Sequence, residues 1–222
     1  MAIILNLETA TTNCSVSISS DDKVIALKEI NDKGYSHAEN LHVFIKEALL
    51  DASLSFSDID AIAVSMGPGS YTGLRIGVSA AKGLCYALDK PLIAVPTLSV
   101  LALQAATDGC VISLLDARRM EVYAAVFKGK QQIRETKAEI IDEHSFSDYL
   151  SEGEVRFIGD GAAKCKDVIK NVNAIFTTDV NFPSAKELAF FANEKYKKGD
   201  FEDVAYFEPY YLKDFVTTKP KN

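Results

Sequence analysis

Three short stretches of the chain carry residue types able to do chemistry. Glu8 closes an apolar run and is followed by Thr9, Thr11 and Thr12, so a carboxylate and several hydroxyls sit where a metal-bound phosphate could be held. The segment Gly67-Pro68-Gly69-Ser70-Tyr71-Thr72-Gly73 lies between an apolar run and a helical pattern, where backbone N–H groups and a helix N-terminus could cradle an anion. It lacks the Lys-Ser/Thr of a P-loop, since Leu74-Arg75 follows Gly73, and its glycines miss the dinucleotide spacing by one residue. A tight turn that lets a helix approach a sheet explains the same glycines. The third stretch repeats the first: an apolar run reaches Asp116 and turns back through Arg118 and Arg119, a pair that suits either an exposed turn or a partner contact. Glu8, Thr9, Thr11 and Gly69 are therefore the candidates for weak nucleotide binding, with Asp116 facing Glu8 if the chain were an ATP-dependent phosphotransferase.

Other chemistries fail on spacing. His37 and His42 flank Glu39, but five residues of helix turn them roughly 140° apart, too far to share one ion. His144 stands alone in an acidic stretch. Ser70, Thr72 and Cys85 are nucleophiles in principle, yet no GxSxG elbow and no Cys/His/Asp grouping accompanies them. Cys14, Cys85, Cys110 and Cys165 form neither a CxxC pair nor a zinc spacing, which suits reduced thiols in a cytoplasmic protein. No catalytic residue, metal or firm cofactor is expected.

The elements that position these stretches follow from periodicity. The 222 residues are 48% hydrophobic and 25% charged, enough for one large domain or two small ones. Strands are expected at 3–7, 14–19 and 24–30, then a helix at 36–52 opened by a Ser36/Glu39 capping box, with Leu41, Phe44, Ile45, Ala48, Leu49 and Ala52 at helical spacing. A strand at 61–65, a helix from the glycine loop to about Leu88, and a buried strand at 92–95 complete a first unit. A second unit has strands at 110–115, 122–127, 132–140 and 155–158, a helix near 145–150, and a last helix opened by a Ser184/Glu187 capping box. Two related α/β domains, 1–102 and 103–222, are the expected organisation. The uncharged stretch 91–107 falls short of a membrane span and is interrupted by prolines, so it reads as strand plus helix, and no membrane association is expected. A net charge of −7 disfavours nucleic-acid binding by the chain alone.

Small residues Gly73, Gly77, Ala80, Ala81 and Gly83 recur along the second helix. Each glycine there costs about 1 kcal/mol relative to alanine, so a close packing partner is expected on that face, either the first helix or another protein.

Taken together, GPGSYTGLRIGVSAAKGL (67–84), DARRMEVY (116–123) and EPYYLK (208–213) resemble the TsaB (YeaZ) family over essentially the whole chain. The resemblance implies an actin/sugar-kinase/Hsp70-like (ASKHA) fold and a role in tRNA threonylcarbamoyladenosine synthesis. It implies a non-catalytic subunit that binds a TsaD-like catalytic subunit and a TsaE-like ATPase, touches ANN-decoding tRNA only through that complex, and forms a homodimer when alone. Where TsaD-like proteins carry two metal-binding histidines, this chain has Thr97 and Leu101, read as a helix cap and a core residue. That substitution counts against a metallopeptidase reading. The helices implied to meet the partner contribute Ser36, Leu41, Phe44, Ile45, Ala48, Gly73, Gly77, Ala80 and Ala81.

Overall fold

The computed structural model describes residues 1–32, 37–177 and 182–213. Three antiparallel strands open it: β1 (Ile3–Glu8), β2 (Asn13–Ser20) and β3 (Lys23–Asn31). Helix α1 (His37–Asp51) leads to β4 (Ala61–Gly67), which pairs parallel with β1. Helix α2 (Tyr71–Leu88) crosses to β5 (Leu92–Pro96), parallel to β4. The sheet order is β3-β2-β1-β4-β5. A short helix α3 (Thr97–Leu103) leads to the second sheet: β6 (Cys110–Asp116), β7 (Glu121–Lys128), β8 (Gln131–Ile140), α4 (Ser147–Glu152), β9 (Val155–Ile158), α5 (Ala162–Val168) and β10 (Ala174–Phe176). Its order, β8-β7-β6-β9-β10, is the first order repeated. Two like α/β sheets joined in one chain form the ASKHA-like architecture that the resemblance implied.

Alternation along the strands explains why both faces of each sheet are covered. In β1, Leu5 and Leu7 point with Ile62, Val64, Leu92 and Ala94 towards α1 and α2, while Ile4 points with Ala63, Ile93 and Val95 to the opposite face. That opposite face is closed by α6 (Ala185–Lys198), through Leu188 and Ala192. The expected boundary at 102/103 puts this helix in the second half by chain order, whereas in space it lies on the first sheet. The contact is partly polar, because β2 turns Ser15 and Ser17 towards the helix: Ser15 Oγ accepts from the Ala185 N–H at 3.1 Å, and Ser17 Oγ donates to the Ala185 carbonyl at 2.7 Å.

Ser184 caps α6, accepting from the Lys186 N–H at 3.2 Å. The reciprocal half of the expected capping box does not form, because the Glu187 carboxylate instead accepts from Gln104 Nε2 at 3.2 Å. Ser184→Ala should lower the unfolding free energy by about 1–2 kcal/mol, seen as a lower urea midpoint with unchanged slope. The Ser36/Glu39 box lies outside the described residues. Helix α5 and strand β10 were not expected; at seven and three residues they are too short for a periodic signal. Among the described residues, no helix is long and apolar enough to cross a membrane.

Candidate functional site

The two acidic turns have the same local geometry. At the end of β1, the Ala10 N–H donates to Glu8 Oε1 at 2.7 Å; at the end of β6, the Arg118 N–H donates to Asp116 Oδ1 at 2.6 Å. In each, a carboxylate accepts from the amide two residues on and folds the chain back. Their surroundings differ. Glu8 is fully buried, and desolvation pushes its pKa up to about 7 against the opposing Ala10 amide and Ser65 hydroxyl; among the described residues its Oε2 has no close hydrogen-bond partner. Asp116 is half-exposed and pairs with Lys164 Nζ at 2.7 Å. The same ammonium donates to the Arg119 carbonyl, holding a turn whose Arg118 and Arg119 sit at φ 71° and 52°.

The glycine loop wraps the first turn. Ser70 N–H donates to the Ala10 carbonyl at 2.6 Å, and Thr9 Oγ1 donates to the Gly73 carbonyl at 2.8 Å. A Cβ on Gly69 would lie 2.4 Å from the Ala10 carbonyl oxygen, one on Gly73 2.1 Å from that of Thr9, and one on Gly77 2.2 Å from Thr9 Oγ1. Helix α1 secures the same turn from its other side, where His37 Nε2 donates to the Thr11 carbonyl at 2.7 Å. The glycine spacing therefore serves the approach of α2 to the β1–β2 turn.

Between the two turns lies a cleft of about 540 Å³. The first wall is Ala10–Thr12 and Pro68–Thr72; the second is Leu115–Arg118 with Tyr123 and Asp160. Tyr210–Lys213, near the end of the described chain, line it as well. Of the nucleotide candidates, Thr11 and Gly69 line this cleft, whereas Glu8 and Thr9 are buried behind the wall. Reasoning from sequence did not assign Tyr123, Asp160 or the tail to a site, although DARRMEVY, which ends at Tyr123, and EPYYLK stood out as motifs. Asp160 Oδ1 accepts from the Asp116 N–H at 2.9 Å, and burial raises its pKa to about 6 against that bond.

The expected partner-facing residues need correcting. Leu41, Ile45, Ala48 and Ala81 are buried in the core beneath α1 and α2, and Gly73 and Gly77 are buried against the Thr9 turn. Phe44 and Ala80 remain half-buried, and Ser36 lies outside the described residues. Burial follows because the first sheet needs a full apolar layer on this face. The outer face of the two helices instead presents Val43, Leu50, Ser79, Gly83 and Tyr86. A second hollow of about 400 Å³ lies over Tyr71, Thr72, Arg75, Ile76 and Ser79.

Thr97 is not a helix cap. Pro96 holds that position, and Thr97, wholly buried, shares a 2.8 Å hydrogen bond with Ser65 Oγ while its Oγ1 accepts from the Gly67 N–H at 3.1 Å. Leu101 is a core residue as expected, packed with Leu98, Leu115 and Ile158. A hydroxyl already engaged and an alkyl side chain do not fit a metal ion. Among the described residues no group of three or more His, Cys, Asp or Glu gathers as a ligand set. Burial raises the thiols of Cys14 to about 11 and of Cys85 and Cys165 to about 12, away from nucleophilic thiolate.

Comparison with known proteins gives one answer. The family model of TsaD, tRNA N6-adenosine threonylcarbamoyltransferase, matches residues 31–221. The chain is 32% identical to the tRNA threonylcarbamoyladenosine biosynthesis protein TsaB of Escherichia coli K12, covering 97% of this chain and 96% of that one. It is 31% identical to TsaB of Bacillus subtilis 168, covering 95% and 93%. The solved structure of YeaZ from Pseudomonas aeruginosa superposes with a TM-score of 0.83 at 25% identity, over 96% of this chain and 100% of that one.

Proposed function

Because the chain belongs to the TsaB (YeaZ) family, within the wider TsaD family, we propose that it serves tRNA threonylcarbamoyladenosine synthesis as a subunit that performs no transfer chemistry itself. The observation that carries this reading is the Thr97–Ser65–Gly67 hydrogen-bond group, with Leu101 in the core, at the two positions where the resemblance implies that TsaD-like proteins carry a metal-binding histidine pair. In this reading a TsaD-like subunit transfers the threonylcarbamoyl group to the adenosine beside the anticodon of ANN-decoding tRNAs. A TsaE-like ATPase joins the complex, and all of this takes place in the cytoplasm. The net charge of −7 supports tRNA contact only through those partners.

The surface offered to the TsaD-like partner is the outer face of α1 and α2, and in the partner's absence the same face closes a homodimer. Gly83 supports this placement: it is exposed, and a Cβ added there meets nothing within 4 Å among the described residues, none of which requires a glycine at that point in a helix. Gly83→Leu should leave folding intact and weaken association with the TsaD-like subunit about tenfold or more by titration calorimetry. Unchanged affinity would move the interface elsewhere.

The function itself is tested by omission. Threonylcarbamoyl transfer to tRNA is reconstituted from the TsaD-like and TsaE-like proteins, the adenylate-forming enzyme, ATP, threonine and bicarbonate, with and without this chain. The expected result is loss of modification on omission, with no ATP turnover by the chain alone. Unaltered modification, or turnover by the isolated chain, would favour a phosphotransferase using the cleft.

A further inference from the structure

The tail segment that lines the cleft touches both of its walls. Upstream, the Glu202 N–H donates to the Leu92 carbonyl at 2.9 Å, and Lys82 Nζ on α2 donates to the Phe207 carbonyl at 2.8 Å, so this part is tied to the first sheet. The Tyr210 N–H then donates to the Met66 carbonyl at 2.7 Å, just before the glycine loop. There Gly67, at φ +116°, has no room for a side chain, since a Cβ would lie 2.7 Å from the Tyr210 carbonyl oxygen. Tyr211 packs its ring on Tyr71, centroids 4.9 Å apart, and Lys213 pairs with Glu121, the first residue of β7 in the second sheet. Within four residues the chain passes from one wall to the other.

Of these contacts only Lys213–Glu121 reaches the second wall, and both it and the Tyr211–Tyr71 contact on the first wall are of the kind that breaks readily. The Tyr211 ring is on the surface, and the Lys213 and Glu121 side chains are 36% and 26% exposed, so water competes for the ion pair. The anchors on the first sheet are more numerous and include the buried Phe207. Release should therefore begin at Lys213 and end at Tyr210.

We propose that Tyr210–Lys213 is a strap that holds the cleft closed, and that breaking Lys213–Glu121 and Tyr211–Tyr71 together opens the cleft while both sheets stay folded. Tyr71 also lines the hollow on the outer face of α2, so the strap joins that face to the cleft.

Hydrogen exchange on the full-length chain tests this at three amides: Tyr210 in the strap, Ser70 in the first wall and Asp116 in the second. Each donates one defined bond, to Met66, Ala10 and Asp160 respectively. Lys213→Glu should speed exchange at all three by roughly fivefold or more, leaving central amides of β4 and β6 unchanged. Adding Glu121→Lys to that variant restores an opposite-charge pair and should return the three rates to those of the unaltered chain. Faster exchange at Tyr210 with Ser70 and Asp116 unchanged would make the tail a passive flap and overturn the proposal. So would unchanged exchange at Tyr210, or failure of the charge swap to restore the rates in a protein that still melts cooperatively.

Discussion

Gly73→Ala is expected to cost on the order of 3–5 kcal/mol, a large share of the stability of a chain this size. The added methyl has nowhere to go. It would lie 2.1 Å from the Thr9 carbonyl oxygen, a backbone atom. The Thr9 side chain is itself committed to the Gly73 carbonyl at 2.8 Å, so neither side can yield without giving up a buried hydrogen bond. The melting temperature should fall by roughly 10 °C or more, with part of the protein insoluble on expression. Gly83→Ala is the matched control: same helix and same added methyl, but open space, so the helix-propensity gain should raise stability by up to about 1 kcal/mol. Equal effects at the two positions would mean that α2 does not pack on the β1–β2 turn as described.

Glu8→Gln should stabilise the protein, and only above acidic pH. The folded pKa of Glu8 is about 7 against an ordinary 4.5, so the fold favours the protonated form. Below about 4.5 the carboxyl is neutral in both states and contributes no penalty. Between 4.5 and 7 the unfolded chain has released the proton while the native state retains it, so native stability falls as pH rises. Above 7 the penalty is constant, at most about 3 kcal/mol. Glutamine keeps an acceptor for the Ala10 N–H and removes the charge. The stability difference between Glu8→Gln and the unaltered chain should therefore grow from pH 5 to 7 and then level off, as read by urea unfolding at each pH. Asp160, raised to about 6, adds a slope of the same sign at lower pH, common to both proteins and absent from their difference. A difference independent of pH would show that Glu8 is ionised in the folded protein.

What could be read directly from the chain depended on local regularity. Val16 and Ile18 alternate with Ser15 and Ser17, and that pattern placed a strand with one apolar face there, whereas the burial of Ser15 and Ser17 beneath α6 came only with the fold. Leu41, Ile45 and Ala48 at helical spacing gave α1 an apolar stripe, and the fold decided that this stripe turns into the core and not towards a partner. The repeat of an acidic residue before a turn, at Glu8 and Asp116, led to two related halves, and the two sheets share one strand order. That Thr97 and Leu101 offer no imidazole was legible because the sequence states side-chain type outright, whereas the histidine pair they are compared with came from the resemblance to TsaD-like proteins.

Tertiary structure decided where the small residues face and what closes the cleft. A row of glycines announces that something comes close but not what, and here the approaching group is the turn at Thr9, sixty-four residues earlier in the chain. Thr97 carried a cap-like residue type, yet its hydroxyl is drawn to Ser65 and Gly67, which only the pairing of β4 with β5 brings beside it. The tail motif showed no periodicity and no spacing rule. Its role comes from contacts with Met66, Tyr71 and Glu121, and contacts between residues so far apart exist only after both sheets have formed. Residue type and periodicity are properties of the chain, whereas proximity between distant segments is a property of the fold. The sequence by itself therefore determined the longer elements and the side-chain types at 97 and 101, and the folded structure determined the short elements, the cleft, the outer face of α2 and the strap between them.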